Sequence, residues 1–123
     1  MSGDELLTRL EDILEAIRDV EAFIGTKAFD DYMAEPLLGR GVERDIEIIS
    51  EASRHLPKSL KTRYPIIPWR KVAGIGNVLR HGYKVVDDHE VWDIVSTDLA
   101  PLKTTIRSMM LEVGGEPDGD HGR

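Results

Sequence analysis

Leu6, Leu10, Ile13, Ile17, Val20 and Ile24 recur at alternating steps of four and three, which stacks all six on one side of a helix. No strand accommodates that spacing, because successive strand residues point to opposite faces. The pattern predicts a long amphipathic helix over roughly residues 4–24. Ser2-Gly3-Asp4-Glu5 has capping-box spacing at its start, and Gly25 ends it. Glu11, Asp12, Glu15, Arg18 and Asp19 occupy the other faces as a solvated surface. A rod with one apolar stripe needs further helices to cover it.

The rest of the chain supplies them. Phe29, Tyr32 and Met33 predict a brief helix, and Pro36 opens a longer one that Leu37, Leu38, Val42, Ile46, Ile49, Ala52 and Leu56 carry to about residue 56, where Pro57 stops it. Gly39 and Gly41 weaken its first turns, so either it starts later or a neighbour packs closely there. Lys58 to Tyr64 form a basic connector with room for a single helical turn, and Pro65 and Pro68 hold Ile66-Ile67 extended. A central helix runs from Pro68 to near Gly82.

Lys84-Val85-Val86 reads as a short link, the one place with any period-two character, and Asp87-Asp88 as the cap of a helix buried through Val91, Trp92 and Val95. Thr97 or Asp98 caps a final helix that tolerates Pro101 in its first turn and continues through Leu99, Leu102, Ile106, Met109 and Met110 to about Glu112. The expected fold is all-α, an up-and-down bundle of four main helices plus one or two short ones, in one domain over residues 1–113. The glycine-rich acidic tail, 114–123, is expected to be disordered.

With 123 residues the chain has room for one core, and with no cysteine it has neither a disulfide framework nor a thiolate zinc site. The acidic N-terminus lacks the order of a secretory signal, and no apolar run is long enough to span a bilayer, so a soluble, cytoplasmic protein is expected. A net charge of -7 argues at first against nucleic acid, but its distribution does not. Lys58, Lys61, Arg63, Arg70, Lys71, Arg80 and Lys84 fall within one stretch that contains no acidic residue. All of the positive surplus lies on or beside the central helix. It serves either a phosphate-bearing partner or acidic neighbours within the fold.

At about 100° per residue, Val72, Ile75 and Leu79 make the buried stripe of that helix. Arg70, Gly74, Asn77 and His81 line the opposite side, with Arg80 beside the histidine and Tyr83 just beyond. An imidazole exchanges protons near neutral pH, a guanidinium grips a phosphate with two hydrogen bonds, and a tyrosine ring stacks on a base. These are the parts needed for RNA cleavage without a metal, in which the 2′-hydroxyl attacks the adjacent phosphodiester. The bland alternative is a helix-end histidine acting as a cap or surface residue. Trp69 and Trp92 read as core or dimer-interface residues. His55, His89 and His121 show no metal-ligand spacing, so no metal and no cofactor are expected.

Pro68-Trp69-Arg70, the run Gly76-Asn77-Val78-Leu79-Arg80-His81-Gly82-Tyr83, Val91-Trp92 and Asp98-Leu99-Ala100-Pro101-Leu102 together resemble the HepT-like toxin family of the HEPN superfamily. Glu51-Ala52 and the leucine-rich first helix add to the likeness, which covers roughly residues 6–111. The resemblance implies a helical homodimer whose two motif helices face a shared cleft holding a ribonuclease site. It also implies a toxin neutralised by a small nucleotidyltransferase antitoxin that attaches AMP to the motif tyrosine. By position that tyrosine is Tyr83 and the catalytic histidine is His81. Arg80, Arg70 and Asn77 are the accompanying catalytic candidates, and Tyr83, Lys84 and Lys71 the substrate contacts.

The family motif carries an arginine immediately before the asparagine, and this chain has Gly76 there. Arg80, one turn on, or Arg70, on the side of Asn77, would have to replace it. Two readings follow: an active endoribonuclease, or a weakened or inactive module that binds RNA or a nucleotidyltransferase partner through the same face.

Overall fold

The structure, a computed structural model, describes residues 1–81 and 84–114, except for the side chains of 80, 81 and 84–87. Helix α1 (Gly3–Ile24) begins where the Ser2 hydroxyl accepts the Glu5 amide at 3.1 Å. The same hydroxyl donates to the Glu5 carboxylate at 3.2 Å, so the glutamate closes the cap through the serine side chain. Gly25, at φ 55° and ψ -122°, ends the helix in a positive-φ conformation that glycine adopts without a Cβ clash.

Helix α2 (Phe29–Met33) is entered through the Asp31 carboxylate, which accepts the Ala28 amide at 2.9 Å. Helix α3 (Pro36–Arg54) does start at the proline, and aromatic side chains lie beside both of its glycines at distances that would admit a Cβ in ordinary contact. A Cβ at Gly41 would stand 3.4 Å from the Phe23 ring, and one at Gly39 would stand 3.8 Å from the Tyr32 hydroxyl. The helix ends at His55, just short of the expected residue 56.

Helix α4 (Lys58–Lys61) is the single turn expected in the basic connector. Beyond it the Trp69 indole N–H donates to the carbonyls of Lys61 and Tyr64, each at 3.1 Å, and so fixes the entry to α5 (Trp69–His81). Trp69 is thus a partly buried anchor with its polar edge satisfied.

Two expectations between residues 84 and 98 are corrected. Helix α6 (Lys84–Asp93) starts at Lys84, so the supposed link is helical and Asp87-Asp88 lie inside the helix rather than capping it. Carboxylates near a helix start are favourable without acting as caps, which is why the pair misleads. Nor does Thr97 or Asp98 begin a separate helix. α6 passes through a π-helical turn, Ile94–Asp98, directly into α7 (Leu99–Glu112), and Asp98 makes no capping bond. Proline at 101 has no N–H to offer residue 97 and crowds that carbonyl, so the wider turn sits where an α-helix would break.

In the core α1 lies between α3 and α7, and α3 lies between α1 and α5. Leu10, Ile13, Ile17, Val42, Ile46, Ile49, Leu102, Ile106 and Met109 are fully enclosed. Phe29 stacks on His89 at 4.7 Å and Tyr32 meets Trp92 at 5.3 Å, which docks α2 on α6. The structure is all-α, with no strand among the described residues. Among them no helix is long and apolar enough to cross a membrane. The expected disordered tail lies, from residue 115, outside the described residues.

Candidate functional site

Helix α5 has the two faces its sequence requires. Val72 and Ile75 are buried at 1% and 3% exposure, while Arg70, Gly74 and Asn77 are exposed on the other side. A Cβ added at Gly74 would meet nothing within 4 Å, so bare backbone lies open there, with Arg70 four residues before it and Asn77 three after. Arg70 makes no ion pair or hydrogen bond among the described residues, which leaves its guanidinium available to an anionic ligand. His81 closes α5, but its side chain and those of Arg80 and Lys84 lie outside the described residues, as does all of Tyr83.

The basic stretch is partly spent within the fold. The Lys71 ammonium pairs with the carboxylate of Asp93 and, at 2.7 Å, with that of Asp98. The hydrogen bonds to Asp93 and Asp98 hold its pKa above the ordinary lysine value, and the bond to Lys71 holds Asp93 below the ordinary carboxylate value. Arg63 pairs with Glu112 at 2.8 Å. The Lys61 ammonium donates to the Ser53 carbonyl at 3.0 Å, and burial lowers its pKa. Among the described residues Lys58 and Arg70 have no ion-pair or hydrogen-bond partner, so acidic neighbours within the fold account for only part of the basic surplus. Lys71 is therefore a neutralised strut between α5 and the π turn as the fold stands.

Periodicity did not single out Ser50. On α3 this residue is 1% exposed, and its hydroxyl donates to the Ala73 carbonyl at 2.7 Å and accepts the Gly76 amide at 3.1 Å. Gly76 is buried at that contact. The signal was present, because Ser50 shares the stripe of Ile46, Ile49 and Ser53, and a hydroxyl on an apolar stripe must find a partner. No group of three or more His, Asp or Glu side chains that could hold a metal is gathered among the described residues.

A family model described as Ribonuclease HepT-like matches residues 13–109. A Thermococcus cleftensis protein named "Probable ribonuclease HepT" is 39% identical over 94 residues, 76% of this chain and 86% of its own length. A Methanocaldococcus jannaschii protein named "Putative RNase MJ1380" is 31% identical over 106 residues, 86% of this chain and 97% of its own. No solved structure matches.

Proposed function

The chain belongs to the HepT-like ribonuclease family, and on that premise we propose that it is a metal-independent endoribonuclease acting at the outer face of α5. The 2′-hydroxyl of one nucleotide attacks the adjacent phosphorus. The new O–P bond forms as the bond to the 5′-oxygen breaks, and His81 takes the hydroxyl proton or gives one to the departing oxygen. Arg70 and Arg80 neutralise the growing charge on the phosphoryl oxygens, Asn77 orients the phosphate, and Tyr83, with Lys84, holds the neighbouring nucleotide. The site lies in a cleft shared by two copies. The enzyme is the toxin of a two-component module, silenced when a nucleotidyltransferase antitoxin attaches AMP to Tyr83.

One observation carries the reading within this family: Arg70, exposed and without a partner among the described residues, shares a helix face with open backbone at Gly74 and with exposed Asn77. The test is to incubate the purified protein with RNA in EDTA beside His81→Ala and Arg70→Ala. Cleavage by the unaltered protein should vanish in the first variant and fall about a hundredfold in the second. Loss of cleavage to the chelator alone would overturn the metal-independent mechanism.

A second reading has its own observation. Gly76 stands where the family motif has arginine, and its amide is buried against Ser50. A binding module without catalysis would bind RNA in the same assay and leave it intact.

A further inference from the structure

We infer that Ser50 is a positioning residue for the α5 site. The inference rests on the ribonuclease reading, and it makes Gly76 part of the device that holds the site rather than a gap in it.

The Ser50 hydroxyl has one proton and two lone pairs, and it uses both capacities on a neighbouring helix. It donates to the Ala73 carbonyl at 2.7 Å and accepts the Gly76 amide at 3.1 Å. In an undisturbed α-helix the carbonyl of residue 73 serves the amide of 77, and the amide of 76 serves the carbonyl of 72. The hydroxyl therefore reaches the hydrogen-bond ladder of α5 directly beneath Asn77, one turn before Arg80 and His81.

Apolar packing between α3 and α5 through Ile49, Val72 and Ile75 sets a distance but tolerates small slides and rotations. A directional pair of bonds to two fixed backbone atoms does not. Glycine at 76 leaves no side chain between the helices at the point where the hydroxyl arrives. Ser50 lies within α3 (Pro36–Arg54), so its backbone is held by the hydrogen bonds of that helix.

The experiment compares Ser50→Ala with Ser53→Ala. The second variant deletes an equally buried serine hydroxyl whose bond stays within α3. Two readouts are taken: RNA cleavage in EDTA, resolved into kcat and KM, and amide hydrogen exchange along the chain. Ser50→Ala should lower kcat about ten- to a hundredfold while moving KM by less than about threefold. It should also speed exchange of the α5 amides around Gly76 and leave those of α1 and α7 protected. Ser53→Ala should do neither, and Ser50→Thr, which keeps the hydroxyl, should recover at least part of the rate.

Equal losses in the two alanine variants would overturn the positioning role, as would unchanged α5 exchange in Ser50→Ala. If the unaltered protein cuts no RNA, the ribonuclease reading falls on its own account. The difference in α5 exchange between the two variants then still upholds or overturns the Ser50 pin.

Discussion

Lys71 of α5 and Asp98 at the end of the π turn stand 2.7 Å apart, the lysine partly exposed and the aspartate side chain almost enclosed. Removing the cation leaves an enclosed carboxylate without its partner, which is costlier than never having had the pair. Lys71→Met should lower stability by about 1–2 kcal/mol, less than for a fully buried pair because the ammonium still touches water. Adding Asp98→Asn should restore part of that, as read by denaturant unfolding of the two single variants and the double one. RNA affinity should change less in Lys71→Met than in Arg70→Met, because the Lys71 charge is already neutralised.

Asp45 supplies a pH dependence. Burial, then repulsion from Asp19, outweighs nearby Arg44 and pushes its carboxyl up to about 6. Between the ordinary carboxylate value and that raised value, the folded chain holds a proton that the unfolded chain has released. Stability therefore falls as pH rises through this window. Asp45→Asn should raise stability near pH 7.5 by about 1–2 kcal/mol and change little near pH 4, so thermal melts at the two pH values should converge for the variant. An unaltered difference between them would assign the pH dependence to other groups.

At position 76 an arginine would enter the flank of α5 that carries Val72 and Ile75 and receives the Ser50 hydroxyl. Gly76→Arg should cost about 2 kcal/mol or more in stability and yield no gain in RNA cleavage. Faster cleavage at an unchanged melting temperature would show instead that the site lacks only this charge.

Among the described residues the Tyr32 hydroxyl is buried without a hydrogen-bond partner, and burial, with the charges of Glu43 and Asp88, raises its pKa. An unsatisfied buried hydroxyl is a cost, so Tyr32→Phe should be neutral or stabilising by up to about 1 kcal/mol. The midpoint of chemical denaturation measures this directly. A loss of more than about 1 kcal/mol would mean that the hydroxyl is satisfied in solution.

What could be read without coordinates were features written in local spacing: the apolar stripe of α1, the proline that opens α3, and the two faces of α5. Less visible was what depends on residues far apart in the chain. Lys71 looked like a surface cation because its partners, Asp93 and Asp98, lie on later elements of the chain. Ser50 looked unremarkable because its partners are backbone atoms 23 and 26 residues away. Local signals also misled where two of them competed. Asp87-Asp88 and Thr97 or Asp98 both read as caps, yet the first pair lies within α6 and the chain passes the second through a wider turn at Ile94–Asp98.

That wider turn constrains how the chain tolerates insertions and deletions. It accommodates one residue more than an α-helical path would need, so losing any one of residues 94–98 is the simplest way to relax it. Because the wider turn already absorbs that residue, the shortened rod would regain α-helical hydrogen bonds and keep everything beyond it at nearly its present angle. Leu102, Ile106 and Met109 would stay enclosed against α1. A single-codon deletion here should therefore be far less damaging than one in the middle of α3, where losing a residue turns everything beyond it by about 100°.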